Sequence, residues 1–140
     1  MNSNSRKAKG IVRIRKTLES NGYFHDWYIV SVYMANTGEQ IVRYSQPGLT
    51  TIQVVLANSN ADFSHTLIFV DTSSFFISSS QDPNSYERHY TFNGFQRILD
   101  FSIENEDKTI KATIECESDS RIILSCRSIV HRKNQLSIYE

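Results

Sequence analysis

Two stretches decide the fold: Leu99-Asp100-Phe101-Ser102-Ile103-Glu104, and Thr109-Ile110-Lys111-Ala112-Thr113-Ile114-Glu115-Cys116 across the linker Asn105-Glu106-Asp107-Lys108. Apolar and polar residues alternate through both, the period of a strand with one face in a core and the other in water. A four-residue loop joining Glu104 to Thr109 sets Ile103 beside Ile110 and Phe101 beside Ala112, so both strands put Leu99, Phe101, Ile103 and their partners on one face. A second hairpin across Ser118-Asp119-Ser120 places Glu117 opposite Arg121 and brings Ile122, Leu124 and Cys126 to the same face. The expectation is a three-stranded antiparallel meander, buried on one side and polar on the other. This register also separates Cys116 from Cys126 by four residues, roughly 13 Å at ~3.3 Å per residue. A disulfide requires Cα atoms within about 7 Å. Both cysteines therefore read as reduced, buried core residues.

Working back from the meander, the chain continues as strands and turns. Trp27 to Ala35 is aromatic and β-branched, with Trp27, Ile29, Ser31 and Tyr33 on one face and Tyr28, Val30, Val32 and Met34 on the other. Asn36-Thr37-Gly38 signals a turn, and Ile41 to Tyr44 a short strand ended by Gln46-Pro47-Gly48. Thr50 to Ala57 is a clearer strand with Ile52, Val54 and Leu56 together, and after Asn58 to Asp62 the next runs from His65 to Val70. Phe75-Phe76-Ile77 forms an apolar patch before a polar loop, Ser78 to Ser85. At the other end, from Lys7 to Ser20, two readings stand. Ile11, Ile14 and Leu18 are spaced as one face of a helix, which Asn21-Gly22 would stop, while Ile11-Val12-Arg13-Ile14-Arg15 alternates as a short strand would; the helix is favoured. The expected architecture is mainly β, a β-rich α+β domain. It is an antiparallel sandwich or strongly curved sheet ending in the meander, with one short N-terminal helix. Residues 1–5 read as a disordered tail and residues 6–140 as a single domain.

Composition bounds the function. The 140 residues carry 15 basic and 15 acidic side chains, so the formal charge is zero. That balance argues against a protein built to coat nucleic acid or an anionic membrane. No run approaches the ~20 apolar residues that span a bilayer. The polar, basic Met1 to Gly10 lacks an export signal, and cysteines are sparse, which together suggest the cytoplasm. Charge is segregated, however. Arg6, Lys7, Lys9, Arg13, Arg15 and Lys16 crowd the start, while Asp100, Glu104, Glu106, Asp107, Glu115, Glu117 and Asp119 crowd the meander.

Catalytic and metal chemistry find little to use. His25-Asp26 is a conspicuous pair, but His65, His89 and His131 supply no His-x-x-x-His or Cys-x-x-Cys framework to complete a site. Asp26 is expected to be structural, accepting backbone amide hydrogen bonds with His25 packed nearby. No Gly-x-Ser-x-Gly setting exists, and five scattered glycines make no phosphate loop. The reading is a non-enzyme without cofactor or metal. Tyr86, Arg88, His89, Tyr90 and Phe92 suggest a stacking platform for nucleic acid; core and edge packing is the favoured alternative.

The segment Gly22-Tyr23-Phe24-His25-Asp26-Trp27-Tyr28-Ile29-Val30-Ser31-Val32 resembles the Phe-His-Asp opening of small immunity proteins from bacterial polymorphic-toxin and contact-dependent growth inhibition systems. The likeness extends loosely through Thr50 to Leu56, Leu67-Ile68-Phe69-Val70 and the late strands to Cys126. Ile41 to Gly48 and Ser78 to Tyr90 look like insertions. The resemblance implies a cytoplasmic antitoxin that blocks a cognate toxin by direct binding, with Phe24, His25, Asp26 and Trp27 as a structural motif. Many such toxins are nucleases, whose positive surfaces suit carboxylates. The candidate contact surface is therefore Asp100, Glu104, Glu106, Asp107, Glu115, Glu117 and Asp119, with a merely solvated sheet face as the alternative. In the meander register Asp100, Glu104, Glu115 and Glu117 share the polar face and the others sit at turns. The rival readings are a nucleic-acid-binding β domain and a small-ligand-binding barrel lined by aromatics.

Overall fold

The spacing of Ile11, Ile14 and Leu18 is realised as helix α1 (Ile11–Ser20), whose three apolar residues are all buried. The computed structural model describes residues 10–35, 50–58, 63–78 and 97–135. The tail, the Ile41 to Gly48 segment and most of the Ser78 to Phe92 stretch lie outside them. Asn21 closes α1, and the chain turns left-handed through Gly22 (φ 61), Tyr23 (φ 58) and Phe24 (φ 54). Eight strands follow: β1 (Tyr28–Ala35), β2 (Thr50–Ala57), β3 (Phe63–Thr72), β4 (Ser74–Ser78), β5 (Ile98–Glu106), β6 (Thr109–Cys116), β7 (Arg121–Cys126) and β8 (Ser128–Gln135). They form two four-stranded antiparallel sheets, ordered β1-β2-β3-β8 and β4-β7-β6-β5.

The sheets face each other across one core. Ile52, Val54, Leu56, Leu67 and Phe69 point in from the first, and Ile98, Phe101, Ile110, Ile114, Ile122 and Leu124 from the second. The helix face and Phe24 complete this cluster. The continuous run Leu67-Ile68-Phe69-Val70 has both faces of β3 buried, as an unbroken apolar strand requires.

The meander is present, with its register moved by two residues in each hairpin. Ile103 pairs with Ala112 and Phe101 with Ile114, and only Asp107-Lys108 turn the chain, since Glu106 pairs with Thr109. Asp107 takes the left-handed conformation (φ 61) that short acidic side chains tolerate. In the second hairpin Glu115, not Glu117, pairs with Arg121, and Cys126 pairs with Ile110. An even slip preserves which side chains face inward, because the side-chain period is two. It widens the cysteine separation to six residues, about 20 Å at ~3.3 Å each. Both are free and buried, and burial pushes each thiol up to about 12.

Two faces depart from simple alternation. A bulge between Ile98 and Asp100 turns Leu99 outward, 45 % exposed, and lets Ile98 and Phe101 both face the core. A second bulge, between Ile29 and Ser31, puts Val32 against the core where Ser31 was expected to follow Ile29. One extra residue inverts every side chain beyond it. Strand β8 has no counterpart among the strands expected from the sequence.

The two sheets are joined by one bent ribbon. β3 pairs with β8 up to Val70↔Ser128, and the same two chain segments resume as β4 with β7 from Ser74↔Ser125. Three residues on one side thus oppose two on the other, a bulge of the kind that lets a strand switch sheets. At this corner Arg127 N donates to Val70 O (2.9 Å) and Ser73 N to Ser125 O (2.9 Å). Asp71 is left-handed (φ 53), and its carboxylate, only 1 % exposed, lies 2.7 Å from Arg127 Nη2.

Candidate functional site

The chain arrives at β1 through Phe24-His25-Asp26-Trp27, and the motif divides by role. Phe24 is wholly buried and meets Trp27 edge-on, ring centres 5.1 Å apart. Both rings also stand edge-on to His65, at 5.3 and 5.0 Å. His25 and Asp26 instead face solvent. Among the described residues no backbone amide donates to the Asp26 carboxylate, which lies 3.2 Å from His25 Nδ1 and 3.6 Å from Arg97 Nη1. The backbone of Asp26 does the structural work, for its N–H donates to Ile98 O (2.9 Å) while Ile98 N–H donates to Trp27 O (2.8 Å). Together with a Tyr28↔Arg97 bridge, these bonds tie the start of β1 to the start of β5 across the two sheets.

Arg97 holds this seam from the other side. Its guanidinium reaches Glu117 at 2.6 Å, and the hydrogen bond and charge of Glu117 raise its already high pKa. Glu117 sits in a short 3-10 turn after β6, not on the strand face where the sequence register placed it. One expected contact carboxylate is thereby engaged within the chain.

The other six are exposed and divide by position. Asp100 on β5 pairs directly with Glu115 on β6, on the outer face of the second sheet. Glu104 lies further along β5, opposite Lys111, with Glu106 and Asp107 at the hairpin end. Asp119 (φ 60) lies in the β6–β7 turn. Among the described residues none of these six is in an ion pair, although Arg121 lies across from Glu115 in the register. Arg121 leans over the Phe76 ring instead, 5.9 Å from its centre. Beside Asp100, a groove of about 370 Å³ runs between α1 and β5, lined by Arg15, Leu18, Glu19, Tyr23 and Asp100 to Ile103.

A cluster that sequence reasoning missed lies inside the first sheet. His65 Nδ1 and His131 Nε2 are 2.7 Å apart, and His65 is buried. Burial, then His131 and Lys133, lower His65 from 6.5 to about 4; burial and Lys133 lower His131 as well. The two rings meet only because β8 lies beside β3. Among the described residues no group of three or more His, Cys, Asp or Glu side chains gathers as a metal site would require. Neither a protein-family model nor a curated protein sequence matches this chain.

Proposed function

We propose that this chain is a non-catalytic protein-binding domain, read most sharply as an immunity protein that neutralises a cognate toxin in the cytoplasm by direct contact. The observation that carries the reading is the Asp100–Glu115 pair on the outer face of the second sheet. Like charges directly opposite on adjacent strands reduce stability, and here Arg121, the cross-strand partner of Glu115 on β7, is turned toward Phe76. Glu104, Glu106 and Asp107 extend the negative surface along β5, and the groove beside Asp100 offers the exposed ring of Tyr23 as an anchor. Aromatic anchors within a charged rim suit a protein partner, and carboxylates suit the basic surface of a nuclease. The Phe24-His25-Asp26 resemblance supports the same reading.

The test is a growth experiment. The variable C-terminal domain of a large secreted protein encoded next to this chain should arrest cells when expressed alone. Co-expression of the chain should restore growth, and the purified pair should co-elute. Persistent arrest, with no complex formed, overturns the proposal.

A further inference from the structure

We propose that β4 is a dimerisation edge, through which two copies of this chain pair their Ser74–Ser78 strands antiparallel about a two-fold axis. β4 is hydrogen-bonded to β7 on one side and has no neighbour on its other side among the described strands. Such an edge presents a row of backbone N–H and C=O groups that another strand satisfies. Edges that stay single are blunted by Lys, Pro or inward charges, or by bulges, shortness or a covering segment. β4 is five residues long and begins at the corner bulge, but it lacks the first three. Here every residue from Thr72 to Gln81 is uncharged and none is Pro. Phe75 and Phe76, on opposite faces of the strand, are 47 % and 52 % exposed.

The edge itself selects a second copy over a foreign strand. Ser74-Phe75-Phe76-Ile77-Ser78 has the same chemical pattern in both directions. Antiparallel pairing centred on Phe76 sets Ser74 against Ser78, Phe75 against Ile77, and Phe76 against itself. An isologous contact demands this self-complementarity. Charge permits it, because the formal net charge is zero; Arg121 on β7 leans over the Phe76 ring, 5.9 Å from its centre, and Lys111 lies one strand further back on β6. The row that holds Arg121 and Ser78 continues into Ser74 of the second copy, not into another cation. One short strand pair with its flanking side chains falls below about 1,200 Å², the size of weak, reversible interfaces. Dimerisation would leave the carboxylate hairpin β5–β6 free at the far edge of each sheet.

Sedimentation velocity across the micromolar range should show a concentration-dependent monomer–dimer equilibrium. Phe76→Lys sets two cations face to face on the axis and should leave only monomer, with the circular dichroism spectrum unchanged. Phe76→Cys supplies an independent reading should the lysine variant fail to fold. Its thiol meets its own copy and should give a disulfide dimer on mild oxidation. Ser78→Cys, roughly 13 Å from its counterpart in this register, should not. A wild-type chain that stays monomeric throughout, a dimer that survives Phe76→Lys, or equal cross-linking of the two cysteine variants would overturn the proposal. A strand of another protein occupying this edge would appear as the first of these outcomes.

Discussion

Nδ1 of His65 lies 2.7 Å from Nε2 of His131, close enough that one ring must donate a proton and the other accept it. Two imidazolium rings cannot hold this contact, because neither would have a lone pair to offer.

This pair should make stability depend on pH in a defined window. The unfolded His65 ring binds a proton near pH 6.5, and the folded ring does so only near about 4. Between these values the unfolded state holds more protons, so stability falls as pH drops through the window and is flat above it. The loss should be on the order of 2–3 kcal/mol. Denaturation midpoints measured across that range should drop for the native chain and flatten in His65→Phe. An equal drop in both would assign the effect to other groups.

Tyr23 is half exposed yet held at φ 58, a conformation that costs a non-glycine residue about 1 kcal/mol or more. Tyr23→Gly should therefore be neutral or slightly stabilising despite the greater freedom glycine gains when unfolded. Tyr23→Val should destabilise by about 1–2 kcal/mol. Thermal melts of the two variants check this ordering, and its reversal would mean that the ring outweighs the backbone.

At the ribbon corner, Arg127→Ala removes the cation 2.7 Å from the buried Asp71 carboxylate. A loss of about 1–3 kcal/mol is expected, smaller than for a fully enclosed pair because Arg127 is itself partly exposed. Arg127→Lys should recover part of it. Identical stabilities for all three chains, by urea titration, would show the pair to be dispensable.

For the carboxylate surface, Asp100→Asn alone should raise stability by about 0.2–1 kcal/mol, since it relieves a like-charge cross-strand pair. Asp100→Asn combined with Glu104→Gln and Glu115→Gln should slow association with the toxin and flatten its salt dependence. Unchanged association kinetics in the triple variant would move the contact elsewhere on the chain.

Much of this architecture was legible because burial imposes a period. Ile110 to Cys116 and Ile52 to Leu56 alternate without interruption, and both strands form with the faces expected. Leu99 was misassigned because a bulge changes the phase without changing composition. Strand β8 is hard to read because Ser128 to Gln135 is mostly polar and, among the described side chains, only Ile129 is buried in the core. The Ile129-Val130 pair after Cys126 was the available signal. The same omission hid the histidine cluster, since His65 and His131 are 66 residues apart. His25-Asp26 drew attention by chemistry, whereas the buried ring of Phe24 and the backbone of Asp26 hold the chain there. The polar-face positions of Asp100, Glu104 and Glu115 follow from alternation, but the capture of Glu117 by Arg97 depends on a turn that alternation does not encode.

The bent ribbon also bears on how the chain reaches this state. Its two arms, residues 63–78 and 121–135, belong to both sheets at once, so neither sheet can be completed while the other is open. The β5–β6–β7 hairpins close over short loops and can form early, but the ribbon must bring residues 63–78 to residues 121–135 across the chain between them. Contacts of such separation bear their loop entropy before they return any stabilisation. Folding is accordingly expected to be slow and all-or-none, with the Asp71–Arg127 corner consolidating among the last elements.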